Sequence, residues 1–283
     1  MPQPYRPDAP GANPVGRFAQ GLVGSAMDLG ILTQIAPTLL IASFAVAILS
    51  GVIKGAIGFG MPLVILSGLS TFLDPKLALI GMIAPIVVSN ALQALRTGVG
   101  PAIEATRSAW RYMLIVCIMI FAAAQLVPVI PSEAFYFVLG IPVLILALIQ
   151  LMGLRLIIPL RHRGWAEWAV GLISGVLGGL AGTWGPTTVL YLLAIDMPKA
   201  RQVIVQGMIY GTGSVTLLFA HLRSGLLNAE TIPFTLALLP TALVGMWIGF
   251  QIQDKLDQEK FRKLTLIVLV IAALNLLRKG LLS

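Results

Sequence analysis

From Ile31 onward the sequence consists of apolar runs separated by short polar breaks. The runs predict helices near 33–53, 56–72, 76–96, 109–130, 133–158, 165–180, 185–195, 199–222, 231–251 and 262–280. A helix that crosses a bilayer needs about 20 apolar residues. The runs at 56–72, 165–180 and 185–195 fall short of that length. Short, glycine-interrupted segments are expected in lipid only where the freed backbone is buried in protein or lines a cavity. Residues 1–30 stand apart, with prolines at Pro2, Pro4, Pro7, Pro10 and Pro14 and no basic start followed by an apolar stretch. They predict a short disordered tail, with an amphipathic surface segment at Phe18–Met27 as the alternative.

Composition removes the soluble reading. Of 283 residues, 58% are hydrophobic and 11% charged, against roughly 25% charged in an average soluble domain. That chain length suits about eight to ten spanning helices. The single cysteine, Cys117, excludes a disulfide framework or a cysteine-rich metal site and is expected to pack as a small hydrophobe. His162 and His221 have no partners that would make a metal site, and no cofactor motif is present. The net charge of +8 is scattered singly between apolar runs, the pattern of positive-inside loops rather than of a nucleic-acid face. All eleven acidic residues fall at the ends of predicted spans or between them, whereas carriers that use a carboxylate for protons or cations keep one inside.

The sequence also repeats itself. Gly51, Val52, Gly55, Gly58 and Pro62 recur 124 positions later as Gly175, Val176, Gly179, Gly182 and Pro186. Looser echoes follow, Asp74-Pro75 against Met197-Pro198 and Leu95-Arg96-Thr97-Gly98 against Leu222-Arg223-Ser224-Gly225. A duplication divides the chain into a tail at 1–30, a first repeat at 31–160 and a second at 161–283. With five crossings per half, Arg6, Arg17, Lys76, Arg223, Arg278 and Lys279 share one face and the other 13 basic residues share the opposite one. If each glycine-rich segment is instead a re-entrant hairpin, eight crossings result and the split is flatter. The steeper split favours ten crossings and puts 97–108, 159–165 and 252–261 on the cytoplasmic side. An odd number of helices per half inverts the repeats. The expected fold is an all-α polytopic membrane protein of two inverted repeats of about five helices each, broken at the glycine-rich segments near the midplane.

Each break carries the parts of an anion site. Glycines allow positive φ, and Pro62 and Pro186 suit the start of a half-helix whose free N–H groups and positive dipole end face the break. Candidate donors are the backbones around Gly58, Phe59 and Gly60 and around Gly182, Thr183, Trp184 and Gly185, with the hydroxyl of Thr187 beside them. Asn90 and Gln93 share a helical face, as do Gln206 and Tyr210 in the second half. These four either bond to neighbouring helices or line the cavity. Trp184 is either a gate or plain packing. Lys54 either snorkels to the interface or attracts an anion at the cavity mouth. Gly51-x-x-x-Gly55 and Gly175-x-x-x-Gly179 fit helix packing, where an extra methyl is expected to be absorbed.

The run G-x-x-x-G-x-x-G-F-G-x-P at Gly51–Pro62, repeated as G-x-x-x-G-x-x-G-x-x-G-P at Gly175–Pro186, resembles the TauE/SafE family of membrane permeases. Asp74-Pro75-Lys76, Asn90 with Arg96, and Met197-Pro198-Lys199 support the resemblance over about residues 40–282. It implies export of sulfite or an organosulfonate across the inner membrane, in a family that also includes uptake members. The bilayer and a small anion are then the partners, with no cofactor and no nucleic acid. A membrane-embedded enzyme or an ABC-type subunit would need a catalytic set or a coupling helix that the sequence does not offer. Oligomeric state cannot be read from it.

Overall fold

The computed structural model describes residues 30–95, 98–153, 158–195, 197, 199–253 and 258–282. The proline-rich tail and Arg96 therefore lie outside the described residues. The helices are α1 (Pro37–Ile57), α2 (Met61–Leu69), α3 (Pro75–Gly81), α4 (Ile83–Leu95), α5 (Val99–Ala124) and α6 (Ser132–Leu151), then α7 (Arg163–Ala181), α8 (Gly185–Ala194), α9 (Lys199–Arg223), α10 (Ile232–Gln253) and α11 (Gln258–Leu282). Among the described residues, five stretches are long and apolar enough to cross a bilayer: 37–56, 75–95, 99–129, 163–181 and 232–252. Their outward faces stay apolar, with Ile41, Trp165 and Trp247 each more than 60% exposed. A soluble monomer rarely exposes so much continuous hydrocarbon.

Local chemistry sets the element boundaries. Asp74 caps α3, its carboxylate accepting from the backbone N–H of Lys76 at 2.8 Å, and Pro75 takes the first helical position. α1 and α7 end alike. The N–H of Gly58 donates to the carbonyl of Lys54 at 2.7 Å, and the N–H of Gly182 donates to that of Gly178 at 2.7 Å. Gly58 and Gly182 have φ of +80° and +62°, the left-handed helix stop that glycine adopts without a Cβ penalty.

α1 packs along α10, α5 along α7, α6 along α11, and α4 against α9. Hydrogen bonds between segments mark the ends of the bundle. Ile31 N–H donates to the Glu230 carbonyl at 2.9 Å, Lys76 Nζ to the Pro128 carbonyl at 3.1 Å, and Lys279 Nζ to the carbonyls of Ser70 and Thr71. Gln125, beside Pro128, reaches the Ala220 carbonyl near the C-terminal end of α9. At the opposite end of α9, Ile158 N–H donates to Ala194 and Arg163 Nη2 to Ile195, both at 2.7 Å.

Several sequence expectations change. Residues 99–108, read as loop, form the first leg of α5, which bends at Ala109 (φ −118°, ψ 15°). Ala102, Ala105 and Ala109 face inward while the polar residues between them face out, so an amphipathic leg looked like a loop. Glu104 lies inside that leg rather than in a loop, and Glu167, placed at the end of a predicted span, stands in the second turn of α7. The run expected at 76–96 is divided at Met82 into α3 and α4. The glycines at 51 and 175 leave no room for a methyl. A Cβ on Gly51 would overlap the backbone of Ala242 and approach Met246 N to 2.7 Å, and one on Gly175 would meet Met119 and the Val116 carbonyl.

Candidate functional site

Where α1 gives way to α2, Gly58 and Gly60 both take positive φ, +80° and +94°. The chain turns within three residues, Phe59 is buried, and α2 starts at Met61 with Pro62 behind it. Met61 lies against α4, its sulfur 3.4 Å from Ser89 Oγ. The second break is built likewise, from Gly182 through buried Thr183 and Trp184 to Gly185 at the head of α8. Gly185 sits against Tyr210, midway along α9. Both half-helix starts thus face the middle of the α4–α9 pair.

Lys54 stands between the breaks. Its side chain is only 2% exposed, so it does not snorkel to an interface. Its ammonium donates to Asn90 Oδ1 at 2.6 Å and to Gln93 Oε1 at 2.9 Å, and the ring of Tyr210 lies 5.8 Å away. Asn90 Nδ2 donates to the Tyr210 carbonyl at 3.2 Å. Gln206 Nε2 donates to Tyr210 Oη at 2.9 Å, and that hydroxyl donates to the Gly185 carbonyl at 2.9 Å. A single connected network therefore joins α1, α4 and α9 to the start of α8. The Gln93 amide nitrogen faces Gly58, 3.9 Å from where a Cβ would stand.

Lys54 is the only buried lysine or arginine among the described residues, and no aspartate or glutamate is buried with it. Both partners of its ammonium are neutral amide oxygens. A buried cation without a carboxylate carries a desolvation cost that an incoming anion would relieve. Tyr210 and Gln206, read as candidate anion donors, have these hydrogens engaged within the network and hold the break to α9.

The second break is more polar around its rim and has no buried lysine or arginine beside it among the described residues. Thr187 and Thr188 turn their hydroxyls back to the Trp184 carbonyl at 3.0 and 2.7 Å. Ser174 Oγ donates to Thr187 at 2.6 Å, and Tyr112 Oη lies 2.8 Å from Ser174. Sequence reasoning missed Tyr112 and Ser174, although Ser174 immediately precedes the repeated glycine run. Gly178 occupies the position corresponding to Lys54, and the Trp184 indole fills the space there, 3.0 Å from a Cβ on Gly178. The indole N–H has no hydrogen-bond partner among the described residues. Met82, at the α3–α4 joint, presses its methyl on Gly182.

The family model described as sulfite exporter TauE/SafE matches residues 43–276, a range that contains both breaks, Lys54 and its network. The chain belongs to the TauE/SafE family. No curated protein and no solved structure is matched. Membership in TauE/SafE, a transporter family, makes the chain a multi-pass membrane protein.

Proposed function

We propose that this TauE/SafE protein is a secondary carrier that exports a small sulfur oxyanion, sulfite or an organosulfonate, across the inner membrane. The observation that carries the reading is Lys54, a buried ammonium held only by neutral acceptors beside two glycine breaks. An anion entering there meets the free N–H positions of the two half-helix starts, the donor arrangement that favours negative charge. The Gln93 amide completes its surroundings, whereas Thr183, read from the sequence as a donor, turns both its N–H and its hydroxyl back to the Leu177 carbonyl.

The inverted-repeat architecture belongs to the same proposal. Exchanging the halves turns the α1–α10 pair into the α7–α5 pair, and returns the α6–α11 and α4–α9 pairs to themselves. That is the pairing any two-fold relation between the halves requires, and the ends at which the repeats begin favour an axis in the membrane plane. α1 starts beside the Ile31–Glu230 contact and α7 beside Ile195, and these lie toward opposite ends of α9. Alternating access then rocks one repeat against the other around the central network. The charge bias supports an orientation with the Ile31–Glu230 end outside and the Arg163 end in the cytoplasm.

Sulfite release from loaded proteoliposomes tests the carrier. Wild type should empty the vesicles, whereas Lys54→Met should insert normally and release sulfite no faster than protein-free liposomes. Wild-type flux by the Lys54→Met variant would overturn the assignment.

A further inference from the structure

We infer that the site selects by charge number: it accepts a singly charged oxyanion, hydrogensulfite or a monosulfonate, and rejects dianions of similar shape. The inference rests on the carrier reading above and adds a rule to it. In a buried site, charge must be matched by charge, because hydration is no longer there to do so. Lys54 supplies one positive charge, and among the described residues no second lysine or arginine is buried. The pseudo-equivalent position on the other repeat carries Gly178, and an indole occupies the space a second cation would need.

Other sources of positive potential fall short of a second charge. The two amide oxygens on Lys54 turn the negative ends of their dipoles toward the site. The half-helix starts contribute partial charges only, and Pro62 and Pro186 each remove one first-turn N–H. The Tyr210 hydroxyl gives its proton to the Gly185 carbonyl. His221, the other buried titratable side chain with a basic nitrogen, lies toward the far end of α9 with its ring beside Ser224. A monoanion leaves the site neutral, whereas a dianion leaves one negative charge in a low-dielectric interior.

Thermal protection of the purified full-length chain in detergent tests this, since a ligand that binds only the folded state raises its melting temperature. The probes are methanesulfonate as a fixed monoanion, sulfate and ethanedisulfonate as dianions, and sulfite titrated from mildly acid to mildly alkaline pH. Methanesulfonate should bind at least about tenfold more tightly than either dianion. Measured against methanesulfonate at each pH, sulfite affinity should fall with rising pH in step with its hydrogensulfite fraction. Equal protection by both charge classes overturns the charge rule and leaves the anion site standing. No protection by any of the probes overturns both.

Discussion

Gly51→Ala is a one-methyl change that the α1–α10 contact cannot absorb. The new Cβ would overlap the Ala242 carbonyl of α10, with Met246 N at 2.7 Å and Ala242 C at 3.0 Å. All three are backbone atoms, so no rotamer change relieves the clash. The helices must separate instead. Separation is resisted by three more glycines in the same seam. A Cβ on Gly55 would press on the Met246 carbonyl, one on Gly245 on the Ile48 carbonyl, and one on Gly249 on the Val52 carbonyl. Overpacking in a rigid core costs about 1–3 kcal/mol, and the absence of any yielding side chain points to the upper figure, about 3 kcal/mol. At roughly 2–4 °C per kcal/mol for a chain of this size, the melting temperature should fall by about 6–12 °C. The assay is a melt of detergent-purified protein, with Gly164→Ala as control because nothing lies within 4 Å of its Cβ position. A Gly51→Ala protein that melts with wild type would refute the close approach of α1 and α10.

Lys54→Gln should abolish thermal protection by sulfite yet shift the melting point of the ligand-free protein little. Removing a buried charge offsets the loss of hydrogen bonds to Asn90 and Gln93, each worth about 1–3 kcal/mol when left unmade. Gly58→Val should insert and lose transport. Its Cβ meets only Gln93 Nε2, at 3.9 Å, so the cost is backbone strain at φ +80°, about 1–2 kcal/mol, visible as a small drop in a melt. Gly182→Val should unfold more readily, because it adds a clash with the Met82 methyl to the same strain. Reporter fusions should read cytoplasmic at Gly100 and Gly164 and periplasmic at Gly225; the reverse would undo the orientation.

Which features the sequence revealed follows from which were local. The glycine breaks were readable because a left-handed stop needs only its own residue and the turn before it, although the first helix, expected to end at 53, runs on to Ile57 before Gly58 stops it. The GxxxG spacing announced packing at Gly51 and Gly175, but not its tightness, which depends on the α10 and α5 backbones delivered from elsewhere in the chain. The first leg of α5 was hidden because Glu104 and Arg107 broke the apolar pattern, while its buried face is made of alanines. Lys54 was ambiguous for a deeper reason. A lysine one turn before a glycine break snorkels or stays buried according to what covers it, and the cover is Asn90 and Gln93 on α4 with Tyr210 on α9. The spacing of Asn90 and Gln93 put them on one face. Only the fold turns that face toward Lys54.

One buried lysine also decides where the membrane voltage acts. If the bound anion cancels the Lys54 charge, the loaded carrier reorients as a neutral site and feels little of the field. The empty carrier then returns with one positive charge, drawn toward the negative cytoplasm. A potential of about 100 mV is worth about 2.3 kcal/mol per charge, enough to hold a roughly fifty-fold gradient of a monoanion without a coupling ion. Net export should therefore accelerate when an inside-negative potential is imposed on proteoliposomes whose carriers face the cytoplasmic side inward. Exchange of labelled for unlabelled methanesulfonate, which omits the empty return, should be indifferent to the same potential. Voltage-sensitive exchange would show charge moving with the loaded carrier, and the cancellation by Lys54 would then be wrong.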